Sequence, residues 1–409
     1  MLKTRRPPGR GSRSLRLADR YLGVPLVLVV SSLRRKTKTV REFSSVGLMA
    51  TAAIGDTILL AGIVSDLRDH FPEKKLVLFT GGSNHEVALL FKGLDEVVRL
   101  PTHNPLEAVR MLREKRLDVL VDFGPWPRIN ALYSLLSGAR FTLGFRTPGQ
   151  YRHYGYDRFV EHSAKLHEIE NHRNLMRALG IDSKSLPCID VDVPLVSGVQ
   201  PKTYIVFHAW SSGYKSHLRE WPEEYWVELA ARVVVSLGFD IVLTGAPCDL
   251  ARTQELRLKI GPRSKGNVVS LAGKLSLSET ARVLRDAVAV VSVNTGIMHL
   301  AAAVGSAVVA INGPTSALRW GPLGDRAVSV NTDLPGCGYL NLGFEYENQR
   351  EDCMALITPG RVFSSLRGLI EKLRGEGQVT ASDLEFSSSQ AQRLNAREAP
   401  SRPIGHQKA

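Results

Sequence analysis

Short runs of consecutive apolar residues alternate with amphipathic segments over most of the chain, beginning near Val46. Runs such as VGLMA and KLVLFT have the length of strands, whereas DTILLAGIVSDLRDHF repeats its apolar positions with the period of a helix. Strands that are apolar on both faces and alternate with helices are typical of a parallel sheet covered by helices on each side. The pattern therefore predicts an α/β chain built from successive strand–helix–strand units.

The second half of the chain repeats this pattern with TYIVFHA, DIVLTGA, VAVVSVN and AVVAING. Between the halves, GIDSKSLPCIDVDVPLVSGVQPKT is rich in Pro, Ser and Asp, which indicates a linker that ends near Lys202. A chain of 409 residues is also too long for one ordinary core. We therefore predict two doubly wound, Rossmann-like parallel-sheet domains, 44–195 and 196–374, with a cleft between them. The polar, aperiodic residues 375–409 predict a disordered tail.

The net charge of +13 is concentrated at the beginning of the chain. Residues 1–41 contain twelve Lys or Arg and one acidic residue, Asp19, which amounts to +11 and leaves about +2 for all the rest. The body of the protein is therefore close to electrically balanced. A basic face that binds nucleic acid is not expected.

An apolar run, Tyr21–Leu33, lies between these basic residues. Its thirteen residues include a proline and are too few to span a bilayer, which needs about 20. No signal-peptidase-like site follows the run. Two alternatives stay open for residues 1–43: an interfacial anchor that meets anionic lipid through residues 1–41, or a short helix that packs on the body after a disordered tail.

The cysteine pattern carries little chemistry. Cys188, Cys248, Cys337 and Cys353 are widely spaced and form neither a C-x-x-C pair nor a cluster with histidine. Neither a disulfide framework nor a zinc site is predicted, and a cytoplasmic location is expected.

Ligands of open parallel sheets bind beyond the carboxyl ends of the strands, where helix N-termini direct backbone amides at anions. No G-x-G-x-x-G follows the first strand, and AGKLS lacks the spacing of a P-loop, which disfavours a dehydrogenase and a P-loop NTPase. The first strand instead ends in TAAIGDTILL. There, Asp56 either caps the following helix or supplies a general base at the floor of the cleft.

Three further strand ends carry polar residues. Lys215 and Arg219 lie in a loop before Trp221, where they are either solvated or reach a diphosphate. Asp249 either caps a helix or accepts ribose hydroxyls.

The remaining strand end is VVSVNTGIMHLAAAVG. Here the amides of Thr295 and Gly296 would lie at a helix N-terminus, which carries roughly half a positive charge. His299 follows within about a turn, where a lone histidine is otherwise structural. The four strand ends should face one cleft, and their convergence predicts a single site.

Taken together, these turns resemble the heptosyltransferase family, glycosyltransferase family nine, over roughly Val46 to Arg374. SLAGKLSLSETARVLRDAVAVVSVNTGIMHLAAAVG is similar to that family's signature L-A-G-x-x-S-L-x-E…D-[ST]-G-x-x-H-L-A-A-A. The resemblance implies a GT-B fold and inverting, metal-independent transfer of a sugar from a nucleotide donor, ADP-linked in the best-known members. It implies no further cofactor.

The resemblance also assigns roles to individual residues. It implies that Asp56 is the general base and that Arg219, with help from Lys215, binds the donor phosphates. The positions that it places at the donor diphosphate are Thr295, Gly296 and His299. It places Asp249 at the nucleoside. One departure is Asn294, where the family usually has Asp: an amide keeps the side-chain oxygen and gains two donors but loses the charge.

Three functions follow as hypotheses. The first is a glycosyltransferase that moves heptose or a related sugar onto the lipopolysaccharide core or another envelope glycolipid, at the inner face of the bacterial inner membrane. The second is a sugar-nucleotide epimerase or hydrolase with the same fold. The third is a non-catalytic sugar-nucleotide-binding protein, which the loss of charge at Asn294 motivates.

Overall fold

Two parallel sheets dominate the computed structural model, which describes residues 17–40, 42–262, 267–332, 334–342, 345–346 and 349–375. Each sheet has six strands. The strand orders are β3-β2-β1-β4-β5-β6 in the N-terminal half and β12-β11-β10-β7-β8-β9 in the C-terminal half. The predicted pair of doubly wound α/β sheets is therefore confirmed.

The strands of the N-terminal sheet are β1 Ser45–Ala50, β2 Lys75–Thr80, β3 Glu96–Arg99, β4 Val119–Asp122, β5 Phe141–Arg146 and β6 Arg158–Glu161. The helices around it are α1 Val24–Ser32, α2 Ile54–Ile58, α3 Leu60–His70, α4 His85–Ala88, α5 Pro105–Glu114, α6 Arg128–Leu136 and α7 Glu168–Ala178. A π-helical segment, Asp19–Gly23, precedes α1, and a 3-10 turn, Arg152–Gly155, precedes β6.

The strands of the C-terminal sheet are β7 Tyr204–His208, β8 Asp240–Thr244, β9 Val268–Ser270, β10 Ala289–Val293, β11 Val308–Asn312 and β12 Ala327–Asn331. Its helices are α8 Glu223–Leu237, α9 Leu250–Ile260, α10 Leu277–Asp286, α11 Gly296–Ala303, α12 Ala317–Trp320 and α13 Pro359–Gly375. The 3-10 turns Ser216–Arg219 and Pro247–Asp249 follow β7 and β8.

Burial on both faces explains why the strands read as continuous apolar runs. Every residue of β1 is buried. Val46, Leu48 and Ala50 pack into one apolar cluster, while Met49 packs into another on the opposite face. The first of these clusters continues into the C-terminal half, where it includes Val206 and Met298. The two halves therefore share a core.

The predicted linker connects the halves without any helix or strand between α7 and β7, but it lies against the body. The amide of Ile189 donates to the carbonyl of Ala303 (2.9 Å), and the carbonyl of Val193 accepts from Arg282 (2.6 Å). The boundary between residues 195 and 196 stays a prediction. Residues 1–16 and the predicted tail beyond Gly375 lie outside the described residues.

The apolar segment near the N-terminus packs on the body. Val27 is fully buried against Ala131 and Leu135 of α6, so the alternative of a short packed helix is confirmed. The other face of this helix carries exposed apolar side chains, as an interfacial anchor requires, and contact with lipid stays a prediction. Within the described part of the chain, no helix is both long and apolar enough to cross a membrane.

Candidate active site at the junction of the two sheets

The strand orders place the candidate residues at the points where each sheet reverses its direction of growth. In the N-terminal sheet this point lies between β1 and β4, and in the C-terminal sheet it lies between β10 and β7. Asp56 follows β1, and Thr295 and Gly296 follow β10. Ligands of doubly wound sheets bind at such points.

The turn after β1 presents Asp56 in a short helix of five residues, α2. The N-cap of this helix is Ala53, which has the unusual φ of 62° for a residue with a side chain. The alternative in which Asp56 is the N-cap is therefore wrong, because Asp56 is the third residue of the helix, within its first turn. Strained backbone of this kind is concentrated at functional sites.

A small cavity beside Asp56 is formed by the turns after β1 and β4 together with α6 and α7. Its lining includes Thr51, Asp56, Phe123, Pro127, Asn130 and His172. Asn130 is fixed there because its Oδ1 accepts from the Thr51 hydroxyl (2.8 Å) and its Nδ2 donates to Asp122 (3.2 Å). The base candidate thus faces a pocket with fixed polar groups.

Asp122, which accepts from Asn130 in the lining of the cavity, is itself held by buried hydrogen bonds. Its carboxylate accepts from the amide of Gly124 (2.9 Å) and from the hydroxyl of Tyr156 (2.6 Å), and it pairs with the fully buried Arg152. Neither Asn130 nor His172 was predicted as a site residue from the sequence. Both are polar residues on the buried faces of their helices, α6 and α7, and a polar residue at such a position was the available signal.

His172 has a polar atom that faces no partner. It is buried, and its Nδ1 makes no hydrogen bond to any residue that the structure describes. Burial lowers the pKa of His172 to about 4, although the carboxylate of Glu168 opposes this shift. The Nδ1 of a neutral imidazole at this position can either accept a hydrogen bond from a hydroxyl in the cavity or donate one to it, depending on the tautomer.

Thr295 and Gly296 form the N-terminus of α11, as predicted. Thr295 is the N-cap, yet its side chain makes no capping hydrogen bond, and its buried Oγ1 lacks a partner within the described ranges. Helix N-termini bind anions through free amides and the helix dipole. An orphaned hydroxyl beside these amides fits a ligand that accepts hydrogen bonds.

Two glycines allow the halves to meet at this point. A Cβ on Gly296 would lie 2.8 Å from the Cβ of Ile54 and 3.1 Å from the backbone nitrogen of Gly55. A Cβ on Gly55 would lie 2.9 Å from Cδ2 of His299. Because neither position has room for a side chain, the helix that carries Asp56 abuts the helix N-terminus at Thr295.

His299 lies at this contact between the halves, on α11. Burial, and secondarily the nearby His167, lowers its pKa to about 3. The imidazole is therefore neutral near pH 7. Its predicted contact with the donor phosphates would be a hydrogen bond rather than an ion pair.

The loop after β7 holds the two candidate cations. Arg219 ends the 3-10 turn Ser216–Arg219; its guanidinium donates to the carbonyl of Ser212, while its buried Nε makes no bond within the part of the chain that is described. The Nζ of Lys215 lies 5.8 Å from the centre of the Tyr346 ring. Arg219 is the more firmly placed of the two cations.

A disulfide joins Cys337 to Cys353 and closes the loop that carries Tyr346. The prediction that the cysteines form no disulfide is therefore wrong. The two cysteines lie sixteen positions apart, and the described residues between them belong to no helix or strand. Spacing rules do not detect such a pair.

Asp249 caps the turn after β8. It is buried, its Oδ2 accepts from the amide of Ala246 (3.0 Å), and its Oδ1 accepts from Nε of Arg252 (3.1 Å). Asp249 thus occupies the N-cap position of α9, but its side chain makes no capping hydrogen bond to that helix and instead holds the 3-10 turn before it. A contact between Asp249 and a nucleoside stays a prediction.

Asn294 is held within the chain. Its Nδ2 donates to Oδ1 of Asn312 (2.7 Å) and to the carbonyl of Trp320 (2.8 Å). Both of its donor protons are thus used, and only Oδ1 remains for a sugar hydroxyl. An Asp at this position, as is usual in the family, would direct a carboxylate at these two acceptor oxygens and be repelled by them.

We expect Asn294→Asp to lower the free energy of unfolding by about 1–3 kcal/mol, because a carboxylate would face two buried oxygens. Rotation of the Asn312 amide would relieve one clash, but the Trp320 carbonyl is fixed by the backbone. Urea unfolding at pH 7 measures the loss. The control is Asn341→Asp, whose oxygen accepts from Nε of Arg319 (3.1 Å) and tolerates the charge. Equal stability of Asn294→Asp and the parent protein would contradict the assignment.

Comparisons with known proteins agree with this geometry. A sequence model of "Glycosyltransferase family 9 (heptosyltransferase)" matches residues 109–337. Lipooligosaccharide heptosyltransferase 2 of Haemophilus ducreyi is 30% identical over 154 residues, which are 37% of this chain and 44% of that protein. The chain thus spans about half the length of the curated relatives it matches.

Two solved structures show the same fold. A glycosyltransferase family 9 protein from Veillonella parvula superposes with a TM-score of 0.68 at 17% identity, over 82% of this chain and all of the other. An Escherichia coli heptosyltransferase solved with ADP gives a TM-score of 0.63 at 19% identity, over 80% of this chain and 99% of the other. The predicted GT-B fold is confirmed. Since the family model covers more than half of the chain, the chain belongs to glycosyltransferase family 9 (heptosyltransferase).

Proposed function

We propose that this protein is an inverting glycosyltransferase that moves heptose or a related sugar from a nucleotide donor to an envelope saccharide. The contact between Gly55 and Gly296 carries this proposal, because it sets a carboxylate in a polar pocket beside an anion-binding helix N-terminus. One half supplies a base for an acceptor hydroxyl, and the other supplies amides for a leaving diphosphate. Both requirements of sugar transfer meet at one place.

In the proposed reaction, Asp56 takes the proton of an acceptor hydroxyl while that oxygen attacks the anomeric carbon of the donor. The bond between the anomeric carbon and the diphosphate breaks, and the nucleoside diphosphate leaves with additional negative charge. Groups placed at the developing charge stabilise such a transition state. The amides of Thr295 and Gly296, with Arg219 and Lys215, take this role, so the reaction needs no divalent ion.

The donor is proposed to be ADP-linked. Support comes from the names of the curated relatives, which are lipopolysaccharide or lipooligosaccharide heptosyltransferases, and from the related enzyme that was solved with ADP. Asp249 and the Oδ1 of Asn294 are the proposed contacts to the nucleoside and sugar. The acceptor is proposed to be the lipopolysaccharide core or another glycolipid at the cytoplasmic face of the inner membrane.

A thermal-shift screen against ADP, GDP, UDP and their sugars tests the donor. A ligand at 100 times its dissociation constant adds about 2.7 kcal/mol of stability. ADP and ADP-heptose should stabilise the protein most, and mass spectrometry should show sugar transferred only when a saccharide acceptor is present. Release of free or epimerised sugar without an acceptor would favour a hydrolase or epimerase. Binding without any turnover would favour a non-catalytic protein.

We expect Arg219→Gln to weaken ADP binding about 10- to 100-fold, because a hydrogen bond to a charged group contributes about 1.5–3 kcal/mol. Isothermal titration with ADP measures the effect. Lys215→Gln should cost less, since its Nζ is turned toward the Tyr346 ring. Arg232→Gln, on the exposed side of α8, is the control for loss of a positive charge. ADP affinity that is unchanged in Arg219→Gln would remove this residue from the donor site.

A further inference from the structure

Seven large apolar side chains project into solvent from the π-helical segment, α1 and their immediate neighbours. We call this surface the apolar ridge; it consists of Leu17, Tyr21, Leu22, Leu26, Leu28, Val29 and Leu33. Leu33 is 84% exposed and Tyr21 is 68% exposed. Single exposed apolar residues are common, but a contiguous set on one helical segment marks an interaction surface.

The apolar ridge is fixed to the body at both ends. At its beginning, the carboxylate of Asp19 accepts from the amide of Arg128 (2.9 Å) and pairs with the buried guanidinium of the same residue. At its end, Arg34 pairs with Asp157 (2.9 Å), whose other oxygen accepts from the amide of Thr37 (2.8 Å). The exposed side chains therefore belong to a clamped element and not to a loose peptide.

Apart from Asp19, the charged side chains of residues 17–40 are all basic. Arg20, Arg35, Lys36 and Lys38 are exposed beside it, and the single acid of residues 17–40, Asp19, is paired with Arg128. Apolar side chains flanked by Lys and Arg are the chemistry of a helix that lies in the headgroup region of an anionic bilayer. A soluble protein partner does not require this surplus of positive charge.

The ridge also has a defined position relative to the candidate active site. Asp19 contacts Arg128 at the beginning of α6, whereas Arg34 donates to the carbonyls of Ser134 and Ala139 at its end, so α1 runs parallel to α6. The beginning of α6 borders the cavity of Asp56, because Pro127 and Asn130 line it. The first part of the ridge therefore lies near the acceptor side of the cleft.

We propose that the apolar ridge and its flanking basic residues dock the protein on an anionic lipid bilayer, with the cavity of Asp56 beside the membrane surface. The part of this proposal that concerns the acceptor rests on the proposed function, because a lipid-linked saccharide would then reach Asp56 from the bilayer. The docking itself rests only on the ridge, its clamps and its charge.

Co-sedimentation of the full chain with phosphatidylcholine vesicles, with and without one quarter phosphatidylglycerol, tests the docking. The protein should bind the anionic vesicles and lose binding as salt rises. The variant Leu22→Ser/Leu26→Ser/Val29→Ser should bind at least tenfold more weakly. Arg35→Gln/Lys36→Gln/Lys38→Gln should lose about a hundredfold, since each basic residue near an anionic surface contributes about 1 kcal/mol. The matched control is Leu106→Ser/Val235→Ser/Leu258→Ser, which removes three exposed apolar side chains elsewhere and should bind normally.

Equal vesicle binding by the ridge variant and the control would overturn the proposal, as would failure of the parent protein to bind anionic vesicles. Light scattering provides a second test: a parent dimer that the ridge variant converts to monomer, without any change in vesicle binding, would make the ridge a contact between two copies. Circular dichroism confirms that each variant is folded. Vesicle binding by a protein that transfers no sugar would leave the docking intact and overturn the proposed function alone.

Discussion

Asp56→Asn should reduce the turnover number for sugar transfer about 10²- to 10⁴-fold, the range that general-base catalysis contributes. Asparagine keeps the shape of the side chain but has no carboxylate to accept the proton of the acceptor hydroxyl. The cavity that Asp56 faces is held by other residues, among them Asn130 and Asp122, so its form should persist. Initial rates at saturating donor and acceptor measure the loss.

The binding of ADP separates a catalytic from a structural cause. The groups proposed to hold the diphosphate belong to the C-terminal half, so Asp56→Asn should bind ADP with nearly unchanged affinity. Asp69→Asn, which removes an exposed carboxylate from the neighbouring α3, should leave the turnover number unchanged. Full activity of Asp56→Asn would exclude Asp56 as the base and would direct attention to His172 in the same cavity.

The strands and the strand-end residues were predictable because both depend on local sequence. A strand buried on two faces needs consecutive apolar residues, and KLVLFT coincides with β2 for that reason. A helix that begins directly after such a strand must place its first residues at the carboxyl edge of the sheet. That rule alone places Asp56 and Thr295 at the carboxyl edges of their sheets.

The contacts that complete the site were not predictable, because they join residues that are remote in the chain. Gly55 reads as a turn residue, but its lack of a side chain is needed for the approach of His299. The Asp122–Arg152 pair and the Cys337–Cys353 disulfide likewise depend on how distant loops return to the sheet. No periodicity or spacing encodes such pairs.

The contact at the two glycines is supported by a buried ion pair between the halves. Arg319, on α12, pairs with Glu168 at the beginning of α7 (2.7 Å), and both side chains are at most 3% exposed. Glu168 also accepts from His162 (3.0 Å) and from Asn171 (3.2 Å). Burial alone would raise the pKa of Glu168, but His162, which also donates a hydrogen bond to the carboxylate, and Arg319 hold that pKa well below its ordinary value. The carboxylate is therefore charged and fully engaged.

One residue, Trp320, connects this ion pair to the residues that are proposed to bind the donor. Trp320, next to Arg319, supplies the carbonyl that holds Asn294 immediately before Thr295 and Gly296. Loss of the Glu168 carboxylate should loosen α12 and with it the helix N-terminus that is proposed to bind the diphosphate. A change in stability should therefore be accompanied by weaker ADP binding.

Glu168→Met is expected to lower the free energy of unfolding by about 3–5 kcal/mol, because it leaves the charge of Arg319 buried without its partner. Adding Arg319→Met should restore a large part of the loss, since the uncompensated charge is then gone. Glu228→Met breaks an exposed pair with Arg232 and should change stability by no more than about 0.5 kcal/mol. Urea unfolding at pH 7 compares the four proteins, and a Glu168→Met variant as stable as the Glu228 control would contradict the argument.

The difference in the free energy of unfolding between the parent protein and the double variant should depend on pH. A carboxylate whose pKa is lower in the folded state stabilises the protein above its unfolded pKa, ordinarily 4.5 for Glu, and the contribution is lost as the pH falls toward the folded value. The parent protein should therefore lose its advantage over the double variant Glu168→Met/Arg319→Met as the pH drops below about 4.5. An advantage that stays constant down to pH 3 would mean that the Glu168 charge does not help to hold the halves together, and that the shared apolar core and the contact at Gly55 and Gly296 orient Asp56 toward Thr295 without it.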